Sequence, residues 1–271
     1  MALLTRIASH RGYPADELVF VRMAVGAAGC LALWRAGQGS LRVTRPGLLL
    51  VRGLLGTAAI LLFFFAIGRL PVGIATLLNY TSPLFTALFA ILFLGERPGP
   101  RPLFGLAATF LGLALVVGWP AGGSRLGVAA GLLSGVLSGG AITSVRALRR
   151  TEPPLPIFLG FSLIAILVSG PLAGPHARLP RGLDLPLVLG IGLCSLAAQL
   201  LFTDAMGHVS AVAGAVVSPL TPLFAFALGA LLLGEPLSPR ILAGSLLALL
   251  GVGYGSSGVE TSDPAPAVAA G

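Results

Sequence analysis

The stretch "LNYTSPLFTALFAILFLGERPGPR", Leu78 to Arg101, decides how this chain folds. It is apolar enough to enter a bilayer, yet Asn79, Tyr80, Ser82 and Pro83 stand inside it. A second stretch, "VSPLTPLFAFALGALLLGEPLSPR", Val217 to Arg240, has the same pattern. One shift of 139 positions (234 − 95) lays Gly95-Glu96 on Gly234-Glu235 and Pro83-Leu84-Phe85 on Pro222-Leu223-Phe224. From Phe63 to Gly112 roughly a third of positions match their partners, among them Ala66/Ala205, Arg101/Arg240 and Gly105/Gly244, which marks an internal duplication.

Composition sets the solvent. Hydrophobic residues make up 56% of the chain and charged residues 10%, against about 45–50% and about 25% in soluble domains. This is the balance of an integral membrane protein, with the lipid bilayer as its partner. The net charge of +8 does not point to nucleic acid, because the Arg residues are scattered singly between apolar runs. There is no Lys, so neither a Schiff base nor a P-loop lysine is available. Cys30 and Cys194 are isolated in apolar segments and read as small buried hydrophobes.

A helix needs roughly 17–25 apolar residues to cross the hydrocarbon. Nine spans are expected: Leu18–Trp34, Pro46–Ile67, Val72–Leu94, Leu103–Trp119, Leu126–Val145, Leu155–Leu172, Leu185–Phe202, Ala211–Leu233 and Ile241–Tyr254. The shift divides them into a first repeat over residues 1–120 and a second over 121–257, followed by a disordered tail at 258–271 rich in Ser, Pro and Ala. The counterpart of Leu126–Val145 falls almost entirely before Met1, so the repeat unit is five helices and the first copy is expected to lack its first one. An odd number of spans per repeat inverts the second copy relative to the first. Arg35, Arg42, Arg45, Arg52, Arg97, Arg101, Arg146, Arg149 and Arg150 then share one side and seven Arg the other, a weak bias that favours a cytoplasmic C-terminus.

The "RGLLGTAAILLFFFAIGRLPVGIATLLNYTSPLFTALFAILFLGE" segment and the later "SPLTPLFAFALGALLLGE" resemble the EamA-type carriers of the drug/metabolite transporter superfamily. The resemblance runs from Leu18 to Gly255. It rests on a Pro inside the fourth helix of each repeat and a Gly-Glu at that helix's end. It implies two inverted five-helix repeats, an inner-membrane location, and movement of a small metabolite, amino acid or drug, often outward. A chain truly without its first helix departs from that pattern, and a non-transporting or degenerate membrane scaffold is the alternative.

Pro83 lies about eleven residues into its span, near mid-bilayer at 1.5 Å per residue. Proline deletes one helical hydrogen bond and frees a carbonyl near residue 79, which in hydrocarbon must find a partner or face a wet cavity. Asn79, Tyr80 and Ser82 share that turn. Ser218, Thr221 and Pro222 repeat the arrangement, and Gln199 lies deep in its own span. These residues are expected to line a central solute cavity with Phe side chains nearby; the competing reading has the amide joining helices and the hydroxyls bonding back to their own backbone.

Arg22 either snorkels or enters the cavity. Asp204 either pairs locally with His208 or serves as a proton-coupling carboxylate, since a desolvated acid holds a proton more readily. Glu96 and Glu235 end their helices after Gly and are read as structural, braced by Arg101 and Arg240. Gly127, Gly131, Gly135 and Gly139 recur every fourth residue and form a packing groove, or alternatively a homodimer seam. No nucleophile elbow, phosphate loop or metal-ligand spacing is present, so neither enzyme nor cofactor is expected. An intramembrane enzyme would need a second reactive group beside Asp204.

Overall fold

The structure is a computed structural model that describes residues 8, 11–13, 15–67, 69–70, 75, 78–117, 124–174, 184–220, 224 and 239–257. Nine helices lie among these: α1 Ala15–Arg35, α2 Pro46–Ile67, α3 Ser82–Leu94, α4 Pro100–Val117, α5 Arg125–Leu148, α6 Pro154–Ala173, α7 Asp184–His208, α8 Ala211–Val217 and α9 Pro239–Ser256. Strands are absent among the described residues, and α1, α2, α5, α6 and α7 are long and apolar enough to cross a membrane. The fold is all-α among the described residues, as the long apolar spans predicted.

The duplication reappears in the helix boundaries. Shifting α4 by 139 gives Pro239 to Ser256, the bounds of α9; the same shift carries α1 onto α6 and α2 onto α7 to within two residues. The tail and, apart from Phe224, the counterpart of α3 lie outside the described residues.

Two compact units emerge. Among the described residues, one lies within 1–57 and 144–207, the other within 58–143 and 208–257. In the first unit α1 packs on its counterpart α6, with Gly170 beside Phe20 and Gly26 beside Phe158. Low numbers on α1 meet high numbers on α6, so the two counterparts run antiparallel. Equivalent contacts recur across the shift: Gly192 receives Val25, and its counterpart Gly53 receives Ile164, the counterpart of Val25. The ends obey the same rule. Tyr13 donates to Asp184 at 3.1 Å, and the shifted pair, Glu152 and Arg45, also meets, with the Arg45 N–H donating to Glu152 Oε1 at 2.8 Å. Glu152 also accepts from the Thr44 N–H and hydroxyl, at 2.7 and 2.6 Å, and so satisfies orphan donors at the head of α2.

In the second unit α4 crosses its counterpart α9 in the same antiparallel sense. Gly105 faces Gly251 and Gly255, while Gly112 faces Gly244 and Ala248, so backbone rests on backbone. Small residues permit this close approach in lipid, where packing and hydrogen bonds replace the hydrophobic effect between helices. Antiparallel counterparts in both units establish the two repeats as inverted.

Several sequence expectations change in detail. The expected span Val72–Leu94 is not one continuous helix: Leu78 and Asn79 are helical, Tyr80 and Thr81 form a turn, and α3 begins at Ser82. Pro83 thus occupies the first turn of a new helix, where its missing N–H is an orphan in any case. On the second copy α8 ends at Val217, ahead of a turn at Ser218 and Pro219. α7 extends past the expected Phe202 to His208, which keeps Asp204 near a helix end, as expected, four residues before His208. Arg52, grouped above with the loop arginines, lies inside α2 and is only 6% exposed. Cys30 is buried as expected, whereas Cys194 is exposed.

Candidate functional site

The interrupted segment is held by α5. Gly127 abuts Arg69 and Leu70, Gly131 abuts Leu78, Gly135 abuts Thr81 and the Leu78 carbonyl, and Gly139 abuts Phe85 and Thr86. The glycine groove is therefore filled by the chain's own residues, Arg69 and Leu70 at one end, Leu78 and Thr81 in the middle, and Phe85 and Thr86 at the other. Beside it, Asn79 Nδ2 donates to Ser134 Oγ at 3.1 Å and to Ser138 Oγ at 3.4 Å. The Asn79 amide ties the break to α5. Thr81 closes the turn on itself, its hydroxyl donating to the Leu78 carbonyl at 2.7 Å. Thr143 on α5 shares its hydroxyl proton between the Gly139 carbonyl at 2.9 Å and the Thr86 carbonyl at 3.4 Å.

Tyr80 is half-buried against Leu113 of α4 and Ala248 of α9, and Leu220 packs on the same pair. Leu220 is the shifted counterpart of Thr81. The interruptions of both repeats thus converge on the crossing of α4 and α9. Ser82 and Pro83 are buried at the head of α3. Ser218 is half-buried, its hydroxyl bonding back to the Ala215 carbonyl at 3.2 Å. Gln199 is half-buried on α7 and belongs to the other unit. Thr221, Pro222 and Glu235 lie outside the described residues.

Glu96 has a partner that sequence did not suggest. Its carboxylate accepts from the backbone N–H groups of Ala211 at 2.8 Å and Val212 at 3.1 Å, capping α8 from a position 115 residues earlier. A helix N-terminus carries partial positive charge and unpaired N–H groups, so a carboxylate there is stabilising on both counts. Arg240 acts at the opposite pole: its Nε donates to the Leu115 carbonyl at 2.7 Å, near the last turn of α4.

In the first unit Asp204 accepts from Arg149 at 3.0 Å, with the carboxylate side chain 53% exposed. Burial lowers the Arg149 guanidinium from its usual range, and Asp204 opposes that shift. Arg146 donates to the Met206 carbonyl at 2.9 Å. Arg22 is partly buried on α1. Among the described residues no group of three or more His, Cys, Asp or Glu could hold a metal. Arg52 is the polar residue that sequence reasoning misplaced. Its guanidinium carbon lies 4.2 Å from the centre of the Phe161 ring, and the signal that could have found it is an Arg seven residues into an otherwise apolar 22-residue span.

The EamA-like transporter family model matches twice, over residues 1–118 and 125–254. The pseudopaline exporter CntI of Pseudomonas aeruginosa is 35% identical over 242 residues, which cover 88% of this chain and 84% of that protein. A riboflavin transporter of Rhizobium johnstonii is 30% identical over 66% of this chain and 60% of its own length. Human solute carrier family 35 member G1 is 28% identical over 66% of this chain and 53% of its length. A solved crystal structure superposes with a TM-score of 0.81 at 22% identity, covering 94% of this chain and 91% of the other, a likeness of fold. With nine helices among the described residues, two inverted repeats and a double family match, this multi-pass membrane protein belongs to the EamA-like transporter family.

Proposed function

We propose that the chain is a secondary carrier of a small organic solute, working by alternating access around a mid-membrane cavity where the interrupted helices of the two repeats meet. The observation that carries this reading is the convergence of Tyr80 and Leu220 on Leu113 and Ala248. A broken helix at membrane depth is tolerated only where protein or a cavity receives its backbone, and carriers built from inverted repeats use such breaks to bind solute.

Tyr80, Ser82, Pro83 and Ser218, with Thr221 and Pro222, are the proposed solute contacts. Asn79 contributes chiefly by holding the break against α5, and Gln199 is proposed as a pathway residue. The sparse polar lining favours an organic solute over a bare ion. Asp204 is the proposed coupling carboxylate, with Arg22 as the other candidate. Export is the proposed direction, supported by the name of the Pseudomonas relative. The proposed location is an inner membrane with the C-terminus cytoplasmic, the repeats spanning 1–120 and 121–257. The glycine groove is filled from within, so any homodimer would use another face.

Flux of a metabolite panel in proteoliposomes tests the reading. Wild type should move at least one solute, and Tyr80→Ala should slow it at least about 10-fold with the fold retained. A folded wild type that moves none would leave the scaffold reading.

A further inference from the structure

Arg52 presents a problem of physical chemistry that the carrier reading leaves unsolved. It lies six residues beyond the start of α2, about 9 Å into the span at 1.5 Å per residue, and is only 6% exposed. Its Nε is fully enclosed without a hydrogen-bond partner. Among the described residues the guanidinium has no acceptor of any kind, and its one interaction is the Phe161 ring. The carboxylates whose bonds are known in this unit serve elsewhere: Glu152 at the head of α2, Asp184 with Arg11 and Tyr13, Asp204 with Arg149.

Two ordinary explanations fail. A snorkelling Arg reaches back toward its nearer membrane surface, but the Arg52 Nη1 lies beside Gly56, one turn deeper into the span. Nor can the residue discharge the problem by losing its proton, because a guanidinium stays charged in proteins. An intramembrane cation without a counter-charge is costly and therefore marks a function.

The local geometry describes what would satisfy it. Phe161 covers one face of the guanidinium, which fixes its plane and leaves the N–H edge to bond within that plane. Gly56 makes the pose possible, since a Cβ there would collide with Nη1 and come within 2.9 Å of Phe161 Cε2. A planar, charge-assisted acceptor suits such an edge, and a carboxylate accepts two parallel N–H bonds from it. Two buried hydroxyls without hydrogen-bond partners, Thr57 and Ser162, lie on the same two helices, α2 and α6.

We propose that Arg52, stacked on Phe161 and admitted by Gly56, is an anion-binding group that recognises the carboxylate of an organic solute. Only the description of that solute as cargo rests on the carrier reading; the binding site stands independently of flux.

The test uses the full chain in neutral-lipid nanodiscs and reads thermal stabilisation at constant ionic strength. The probes are succinate, citrate, glutamate and benzoate, each against its own amide, with glycerol 3-phosphate as the lipid-headgroup arm. At least one carboxylate should raise the Tm while its amide does not. Arg52→Gln should weaken that carboxylate at least about 10-fold, and Gly56→Ala, which keeps the charge but displaces it, should weaken it too. If Arg52→Gln fails to fold, Gly56→Ala and Phe161→Leu decide the matter.

Stabilisation by no carboxylate, or stabilisation undiminished in all three variants, overturns the proposal. Arg52-dependent stabilisation by glycerol 3-phosphate alone overturns the solute assignment in favour of a lipid phosphate. Carboxylate binding without flux would sink the carrier reading and leave this site standing. Flux of neutral solutes without carboxylate binding would do the reverse.

Discussion

Thr109 donates a hydrogen bond to the carbonyl of Ala248, the residue 139 positions later that is its own counterpart, at 3.3 Å. A contact between counterparts places the internal two-fold axis of the second unit at the crossing of α4 and α9. Thr109 is fully buried, and its single hydroxyl proton is shared between the Ala248 carbonyl and the nearer Gly105 carbonyl at 2.7 Å.

That axis predicts matched mutational costs. A Cβ on Gly112 would meet the Ala248 N and the Gly244 O at 2.5 Å, and one on its counterpart Gly251 would meet the Thr109 N at 2.6 Å and the Gly105 O at 2.7 Å. Backbone cannot rotate aside as a side chain does. Gly112→Ala and Gly251→Ala should each destabilise by about 1–3 kcal/mol, by similar amounts, measured as thermal unfolding in detergent. A large effect at one site and none at the other would contradict the symmetric crossing.

Glu96 should behave as a helix cap. Glu96→Ala removes the acceptor for the Ala211 and Val212 N–H groups and should cost about 1–2 kcal/mol, with Glu96→Gln recovering part of it. Equal stability of Glu96→Ala and wild type would show that α8 is capped otherwise.

Asn79 and Tyr80 should separate into different roles. Asn79→Ala loses the bonds to Ser134 and Ser138 and should lower stability by about 1 kcal/mol. Tyr80→Ala should chiefly weaken solute affinity in flux assays. The opposite pattern, with solute affinity lost in Asn79→Ala at unchanged stability, would make the amide a ligand group.

Asp204 has one clear readout. Asp204→Asn should abolish the response of flux to a pH gradient while leaving solute counterflow intact. Because the Asp204 carboxylate is 53% exposed and Arg149 keeps the Glu152 carbonyl as a second acceptor, loss of the pair should cost less than about 1 kcal/mol of stability. Proton-driven flux unchanged in Asp204→Asn would remove the coupling assignment.

Much of the fold was legible because lipid imposes simple rules. Apolar length located the spans: Pro46–Ile67 agrees at both ends, and one shift related α4 to α9 residue for residue. Inversion followed from the odd helix count alone. Interactions across long sequence separations were not legible. Glu96 lies 115 residues from Ala211, and nothing local to Glu96 names that partner; its nearer neighbour Arg101 suggested a brace instead. Arg52 was counted among the arginines of one membrane side for a related reason: nothing local to it names Phe161, and only the placement of Phe161 and Gly56 shows it pointing inward. The break at Tyr80 and Thr81 falls in the turn that Pro83 pointed to, and that Pro83 then opens a new helix follows from proline's preference for a helix's first turn.

The central claim is that the interrupted helices of the two repeats build one solute site. Its most direct test is solute flux in proteoliposomes for wild type and for Tyr80→Ala, with and without a pH gradient. Saturable flux of at least one organic solute, lost in a variant that remains folded, is the predicted result. Identical flux in the two proteins, or none from a folded wild type, would contradict it.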